Sequence, residues 1–231
     1  MKKKTRNNIN FYLGDNIEFM KTKPDNFYDL AIVDPPYFDG PSKLGYYGAS
    51  ITKVGVKRKG YKCNHWDIPD KKYFDQLFRV SKHQIIWGCN YYAKLIPAVG
   101  RIIWDKVNEN STFSDCELAS CSLHDSVRLY RYMWNGFMQG STIDGTKMQG
   151  NKKLNEIRIH PTQKPVRLYR WLLLKYAKEG NKILDTHGGS FTNAIACDME
   201  GFELDIIEID KEYFDNGLKA FDKYKSQLNL F

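Results

Sequence analysis

An acid, two prolines and a tyrosine stand together in the sequence Asp34-Pro35-Pro36-Tyr37, directly after the apolar run at residues 30–33. The run predicts a short buried strand, and open α/β sheets carry their functional groups at the carboxyl ends of strands. Because proline has no N–H, the turn presents acceptors, namely the carboxylate and the backbone carbonyls. With the tyrosine ring, these acceptors suit a planar ring that carries an amino group, such as a nucleobase. The alternative is an ordinary turn with a packed aromatic side chain.

A glycine turn is the second candidate for chemistry. Asp185, Gly188, Gly189 and Ser190 follow a short strand predicted over residues 182–184, and an apolar helical segment comes next. A strand, a glycine turn and a helix in this order let the backbone approach a cofactor at the start of the helix. The sequence therefore predicts a cofactor loop here.

Three further polar side chains lie near the ends of predicted strands. Glu208 ends the strand that follows the glycine turn, a position where an acid commonly binds ribose hydroxyls. Asp15 follows the first predicted strand, where it either caps the next helix or accepts a hydrogen bond from a ligand. His187 has no metal-ligating partners at a recognisable spacing, so it is interpreted as structural and no metal site is predicted.

Strands and helices alternate along the chain around these groups. Strands are predicted over residues 10–13, 30–33, 84–87, 101–104, 118–122, 127–132, 182–184 and 204–209. Helices are predicted over residues 70–82, 166–176 and 191–199, with a short helix after Asp15 and a closing helix from residue 214 onward. Asp70 is the predicted N-cap of the first of these. The alternation is typical of an α/β fold with a mostly parallel sheet and helices on both faces.

The length of 231 residues suits one catalytic domain, residues 1–231. The net charge of +8 favours a polyanionic partner. The five cysteines form no CxxC pair and no zinc spacing, which indicates reduced thiols in a cytosolic protein. No apolar run follows the basic start of the chain or reaches the length of a membrane span, so neither a signal peptide nor a membrane contact is expected.

Residues 41–65 contain many basic residues and no acid. A loop this long is usually functional or mobile, and its charges interleave with tyrosines as in a surface that contacts nucleic-acid phosphates. We therefore predict a basic mobile loop that binds nucleic acid; the alternative is a solvated loop without a partner. The predicted contacts are Lys43, Lys53, Lys57, Arg58, Lys59 and Lys62.

The region at residues 107–156 loses clear periodicity and is rich in polar residues, with Trp134, Phe137 and Met138 among them. It is predicted to be an inserted segment that recognises the target. The alternative is that its aromatic residues simply pack on the core.

A further motif, His160-Pro161-Thr162-Gln163-Lys164-Pro165, precedes the buried helix predicted over residues 166–176. The motifs described above, in this order, resemble the β-class amino-methyltransferases of DNA, of the adenine-N6 type. The resemblance implies a Rossmann-like fold that depends on S-adenosyl-L-methionine. It also implies circular permutation, with the catalytic half before the cofactor half, and a mostly parallel seven-stranded sheet.

The resemblance also assigns roles to single residues. The catalytic motif is Asp34, Pro35, Pro36 and Tyr37, in which the acid and a proline carbonyl hold the exocyclic amine and the tyrosine stacks on a flipped base. The implied contacts with the cofactor are Asp15, Asp34, Thr162, Lys164, Asp185, Gly188, Gly189, Ser190 and Glu208. The cofactor loop departs from the family pattern Asp-Pro-Phe-x-Gly-Ser-Gly-Thr at Thr186, His187 and Phe191.

We therefore expect a DNA adenine N6-methyltransferase, since relatives that act on cytosine N4 more often carry serine in place of Asp34. A cytosine N4-methyltransferase, a catalytically silent DNA-binding homologue, and an enzyme that methylates RNA or a protein glutamine are the alternatives. The expected partners are double-stranded DNA, a second copy of the chain and a cognate restriction endonuclease. The expected location is the cytoplasm of a bacterium, or of the host cell of a phage or mobile element.

Overall fold

The computed structural model describes residues 1–36, 68–109, 114–135, 138–142, 144–160 and 162–228, and the backbone of residues 50–51 and 57–58. Tyr37 and almost all of the predicted basic loop, with the side chains of all six predicted nucleic-acid contacts, lie outside the described residues. Their roles stay predictions.

The strands are β1 (Lys2–Arg6), β2 (Ile9–Leu13), β3 (Tyr28–Val33), β4 (Ser50–Ile51), β5 (Lys57–Arg58), β6 (Ser81–Trp87), β7 (Gly100–Asp105), β8 (Cys116–Cys121), β9 (Val127–Arg131), β10 (Trp134–Asn135), β11 (Met138–Gln139), β12 (Lys182–Asp185) and β13 (Glu203–Glu208). The main sheet has the order β1-β2-β13-β12-β3-β6-β8-β7-β9. Its pairs are parallel except β1 with β2, β6 with β8, and β7 with β8.

The predicted α/β class and mostly parallel sheet are confirmed, but within the residues that the structure describes the main sheet has nine strands rather than seven. β1 pairs antiparallel with β2 at one edge, and β9 pairs parallel with β7 at the other. The sequence of β1 is almost entirely basic and exposed, so it has none of the apolar alternation by which strands are recognised.

The helices are α1 (Asn16–Lys21), α2 (Lys71–Val80), α3 (Val166–Tyr176), α4 (Thr192–Glu200) and α5 (Lys211–Leu228). They cover both faces of the sheet, as predicted. The face that carries Ala31 and Val33 packs against α1 and α2, whereas the face that carries Leu30 and Ile32 packs against α3, α4 and α5. β3 is therefore apolar without interruption, because neighbouring residues point to opposite buried faces. None of the helices in the described residues is long and apolar enough to cross a membrane.

Two aspartates begin helices through their side chains. Asp70 accepts hydrogen bonds from the backbone N–H groups of Lys72 and Tyr73 at 2.9 and 3.4 Å, which confirms its predicted role as the N-cap of α2. Asp15 does the same for α1, where its Oδ1 accepts from the N–H of Glu18 at 2.8 Å. Of the two interpretations of Asp15, the structure supports the cap, and its contact with a cofactor stays a prediction.

The region at residues 107–156 is less separate than the sequence indicated. β8 and β9 lie within it, yet they pair with β6 and β7 in the main sheet. Its later part, with the small hairpin of β10 and β11 and a 3-10 helix at Lys152–Leu154, lies outside that sheet.

Four predicted site residues meet at one edge of the sheet. β2, β13, β12 and β3 are adjacent and parallel, so their carboxyl ends lie side by side. Asp15, Glu208, Asp185 and Asp34 stand at these four ends or within two residues after them. Such an edge is where ligands bind in open α/β sheets.

Candidate active site

Asp34 is fixed at the end of β3 by a lysine from a distant part of the chain. The Nζ of Lys164 lies 2.5 Å from Asp34 Oδ2, and the lysine side chain is only 2% exposed. Asp34 Oδ1 is also buried, but it has no hydrogen-bond partner within the described part of the chain. One carboxylate oxygen is thus held by an ammonium group while the other is an unused acceptor.

Lys164 also contacts a second acid, Glu117 at the start of β8. Its Nζ lies 3.0 Å from Glu117 Oε2, and Glu117 Oε1 lies 2.6 Å from the Nζ of Lys106. These four side chains, Asp34, Lys164, Glu117 and Lys106, form a largely buried row of alternating sign, each at most 20% exposed, that we call the charge cluster. With all four ionised its net charge is zero, which offsets much of the cost of burying each charge.

Burial and neighbouring charges compete in setting the pKa values of the charge cluster. Burial opposes the charged form of Lys164, but Asp34 and Glu117 outweigh it and raise the pKa of the ammonium group. Burial alone would raise the pKa of Glu117, yet Lys164 and Lys106 lower it to about 2. For Asp34, burial outweighs the attraction of Lys164 and, with the repulsion from Glu117, raises the pKa above its ordinary value.

The proline turn after Asp34 is anchored by a buried tyrosine. The phenol of Tyr92 donates a hydrogen bond to the carbonyl of Pro36, and its ring packs against Phe74 of α2 at 5.0 Å between centroids. This bond fixes the peptide plane after Pro36, and the Pro35 carbonyl remains the predicted second acceptor for an amine.

The glycine turn is tied to the end of β13. The N–H of Gly189 donates to Glu208 Oε2 at 2.7 Å, and the N–H of Asp210 donates to Glu208 Oε1 at 2.8 Å. Gly189 has a φ of +52°, which glycine adopts without strain. Burial raises the pKa of Glu208. The acid predicted to bind ribose therefore also shapes the cofactor loop.

Asp185 lies buried at the end of β12. Its Oδ1 accepts from the N–H of His187 at 3.0 Å, and its Oδ2 accepts from Nδ2 of Asn193 at 2.9 Å. Burial is the main cause that raises the pKa of Asp185 to about 7, against these two hydrogen bonds. Its side chain braces the turn from within, and Ser190 is buried in the same turn, 3.3 Å from the hydroxyl of Thr192.

Two departures from the family pattern, Thr186 and His187, form a closed hydrogen-bond network. Asn16 Nδ2 donates to the Thr186 carbonyl at 3.2 Å and lies 3.1 Å from His187 Nε2, so that Nε2 is the acceptor. The proton is therefore on Nδ1, which faces the Thr186 hydroxyl at 2.9 Å, and that hydroxyl lies 2.7 Å from the phenol of Tyr73. Burial lowers the pKa of His187 to about 3, so the ring stays neutral and structural.

The third departure, Phe191, has a left-handed backbone with a φ of +59° and a fully buried ring. The ring packs against Phe11 and Phe214 at 5.0 and 5.7 Å between centroids. It fits because two neighbours lack side chains: a Cβ at Gly188 or Gly217 would lie 2.3 or 2.6 Å from the ring. The loop thus replaces a flexible glycine with a core anchor.

The motif at residues 160–165 reaches both halves of the site. The ring of His160 faces Gly189, whose added Cβ would lie 3.7 Å from it, and packs on Tyr213 at 4.4 Å between centroids. Burial lowers the pKa of His160 to about 4. Thr162 is exposed and its hydroxyl lies 3.1 Å from His160 Nδ1. The structure places Lys164 on Asp34, so its contact with the cofactor stays a prediction.

The structure thus brings together most of the predicted site residues and adds others. The sequence interpretation missed Glu117, Lys106 and Asn193, among others. Lys106 follows a predicted strand and so carried a positional signal, whereas Glu117 stands at the amino end of its strand and carried none.

Similarity to known proteins agrees with this geometry. The family model N6_N4_Mtase, described as DNA methylase, matches residues 68–219. The chain belongs to this DNA methylase family. The protein "DNA adenine methyltransferase YhdJ" of Escherichia coli (strain K12) is 36% identical to this DNA methylase over 244 residues, with 90% of this chain and 81% of the relative covered. The predicted family is therefore confirmed.

Solved structures confirm the fold of the DNA methylase. The M1.HpyAVI-SAM complex superimposes with a TM-score of 0.56 at 17% identity, covering 91% of this chain and 98% of the other. The PvuII DNA methyltransferase, titled cytosine-N4-specific, gives a TM-score of 0.57 at 15% identity, with 97% and 94% covered. At such identities the likeness establishes the shared fold and leaves the choice of base to the site itself.

Proposed function

We propose that this DNA methylase transfers a methyl group from S-adenosyl-L-methionine to N6 of a flipped-out adenine in a short double-stranded DNA site. The observation that carries the proposal is Asp34. Its Oδ2 is held by Lys164, and its Oδ1 is a buried acceptor without a partner at the sheet edge that also carries the glycine turn. An unused carboxylate oxygen at that place suits an exocyclic amine.

The residues at the neighbouring strand ends fit the cofactor. Glu208 uses one lone pair of each oxygen for the N–H groups of Gly189 and Asp210. An ionised carboxylate offers about four lone-pair positions, so it can still accept from ribose hydroxyls. We assign Asp185 and the Gly188–Ser190 turn to the same cofactor, because they form one hydrogen-bonded unit with Glu208. When bound, S-adenosyl-L-methionine supplies an electrophilic methyl group on a positively charged sulfur.

The contribution of the protein is to make the amine nucleophilic and to place it. The lone pair of an adenine amine is delocalised into the ring, which makes it a poor nucleophile. Asp34 Oδ1 and the Pro35 carbonyl accept its two N–H groups, favour the localised lone pair and stabilise positive charge developing on nitrogen. Because the amine is out of reach inside a duplex, the base must leave the stack, and Tyr37 is proposed to stack on it.

The direct test is product analysis. Purified protein is incubated with unmethylated double-stranded DNA and methyl-labelled cofactor, and the DNA is digested to nucleosides. We expect label in N6-methyladenine. Label in N4-methylcytosine would replace the proposed reaction with the cytosine alternative. Label in RNA, offered in a parallel incubation, with none in DNA would replace it with methylation of RNA. Calorimetric titration with the cofactor tests for the silent homologue: a protein that is folded by circular dichroism but binds no cofactor favours that alternative.

Asp34→Ala tests the assigned residue. We expect turnover to fall by about 10²–10³, as for loss of one charge-stabilising group, while circular dichroism stays unchanged. Asp75→Ala is the matched control, because Asp75 is an exposed carboxylate that pairs with Lys71 on the same helix. Retained activity in Asp34→Ala contradicts the role of Asp34.

We further propose that the protein acts on DNA in the bacterial cytoplasm. A homodimer and a cognate restriction endonuclease remain predictions from the sequence, testable by sizing chromatography and by inspection of neighbouring genes.

A further inference from the structure

The charge cluster contains two residues that belong to no recognised motif. Asp34 and Lys164 come from the catalytic and His-Pro-Thr-Gln-Lys-Pro motifs, whereas Glu117 and Lys106 come from the ends of β8 and β7. Their side chains are only 20% and 14% exposed. Removing two lysines and a second acid from water beside the acid of an active site carries a large desolvation cost. This cost indicates that the residues have a role in the site.

The cluster is built on a rigid base. Lys164 Nζ lies 5.3 Å from the ring centroid of Trp87, and Lys106 Nζ lies 5.4 Å from that of Trp104. The two indoles contact each other edge to face, 6.3 Å apart. Each ammonium group thus has an aromatic face and at least one carboxylate as neighbours, which fixes its position.

The contacts of the charge cluster lead stepwise to Asp34, the proposed acceptor of the reacting amine. Lys106 forms an ion pair with Glu117, Glu117 forms one with Lys164, and Lys164 forms one with Oδ2 of Asp34. With Oδ2 bonded, Oδ1 is the oxygen left for the amine. The position of one acceptor atom is therefore determined by a side chain three contacts away.

We propose that Glu117 and Lys106 are positioning residues for methyl transfer, which act through Lys164 to set the orientation and the charge of Asp34. The inference rests on the proposed function, because it concerns the carboxylate that accepts the amine. Neither residue touches the substrate. Both act at a distance, through the electric field and through the placement of one ammonium group.

The two residues have opposite effects on Asp34 because their charges are opposite. Asp34 stabilises the positive charge that develops on the amine only when its carboxyl group is ionised, so its pKa sets the acid limb of the rate profile. Removing the negative charge of Glu117 lowers that pKa, and removing the positive charge of Lys106 raises it. Among the described residues, the other titratable groups that interact electrostatically with Asp34 are Asp185 of β12, Tyr73 of α2, Tyr92 after β6 and Tyr169 of α3. The three phenols stay neutral at the pH of the assay.

The test is the pH dependence of the single-turnover rate at saturating DNA and cofactor. We expect the acid limb to move to lower pH in Glu117→Gln and to higher pH in Lys106→Met, each by roughly one pH unit, as for a unit charge about 10 Å away at an effective dielectric constant near 20. The double variant restores neutrality, and its limb is expected to return close to that of the wild type.

A purely structural role gives a different result. Loss of packing lowers the rate in both variants without moving the limb, and this outcome overturns the inference, as does movement of both limbs in one direction. Glu117→Asp and Lys106→Arg keep the charges and the fold, so their limbs stay at the wild-type position. A shifted acid limb in either of these two conservative variants also overturns the inference.

Surface charges provide the control. Glu203→Gln and Lys182→Met remove the two members of an exposed ion pair at the amino ends of β13 and β12, and no shift is expected. Failure of the proposed function is recognised separately, because wild-type protein then produces no N6-methyladenine at any pH. An active wild type with unmoved limbs contradicts only the positioning role.

Discussion

Substitution of Phe191 measures how much its buried ring stabilises the protein against the strain of its left-handed backbone. The family pattern has glycine here, and the backbone is left-handed, which costs a non-glycine residue about 1–2 kcal/mol. Phe191→Gly relieves that strain but removes a fully buried ring, at a cost of about 3–5 kcal/mol. Added flexibility of the unfolded chain costs about 0.4–1 kcal/mol more. The net expectation is a loss of about 2–4 kcal/mol in the free energy of unfolding.

Urea denaturation followed by circular dichroism measures this loss, and a chain of this size should also melt roughly 5–15 °C lower. Phe191→Ala is the matched comparison, because it loses the same ring yet keeps the left-handed strain. It should be less stable than Phe191→Gly by about 1 kcal/mol. If Phe191→Gly is as stable as the wild type, the ring is not an anchor and the reasoning fails.

A second substitution sharpens the test. A Cβ at Gly217 would lie 2.6 Å from the Phe191 ring, so Gly217→Ala in the wild type should cost about 1–3 kcal/mol through overpacking. Gly217 lies within α5, where alanine is intrinsically better than glycine by about 0.5–1 kcal/mol. In the Phe191→Gly background the same change should therefore stabilise the protein. A cost of the same sign in both backgrounds would contradict the proposed contact.

Three other expectations follow from single contacts. Burial raises the pKa of Glu156 to about 7, although its carboxylate accepts from the N–H of Val166. The folded protein therefore holds this proton to a higher pH than the unfolded chain, so the free energy of unfolding should fall as the pH rises from about 4.5 to 7. Glu156→Gln should flatten that fall in a pH series of urea titrations. Tyr92→Phe removes the hydrogen bond to the Pro36 carbonyl and should lower the turnover number, while the free energy of unfolding falls by only about 0.5–1.5 kcal/mol. Unchanged turnover would argue against anchoring of the proline turn. Asp70→Ala removes the cap of α2 and should cost about 1 kcal/mol, measured by thermal melting.

The strand ends of the site could be predicted because their signals are local. The apolar run before Asp34 and the glycine turn after Asp185 are continuous stretches, and parallel strands bring their carboxyl ends to one edge whatever lies between them. The same locality explains the correct cap at Asp70. Where one short segment carries both the pattern and its consequence, the fold confirms the expectation.

The charge cluster could not be predicted because its contacts cross the chain. Glu117 meets Lys164 only through the antiparallel pairing of β7 with β8 and the placement of the segment before α3. No spacing of residues in the sequence predicts this contact. The basic edge strand β1 was missed for a different reason: pairing with β2 makes it a strand, and its own residues lack the pattern.

The altered loop shows a third limit. Phe191 looks unsuited to its position until Gly217, from a helix far along the chain, is seen to leave room for the ring. Thr186 and His187 likewise make sense only beside Tyr73 and Asn16. Departures from a motif are interpretable once the neighbours that accommodate them are known.

Dissolved salt reaches surface lysines but has little access to the buried charge cluster. Ions screen exposed charges over a Debye length of about 8 Å at physiological ionic strength, and they screen buried pairs much less. Binding of the protein to the phosphates of DNA should therefore weaken steeply as ionic strength rises. The single-turnover rate on DNA already bound should stay nearly constant, since Lys164 and Asp34 remain paired. A salt titration would thus separate capture of the DNA from the chemistry that follows it.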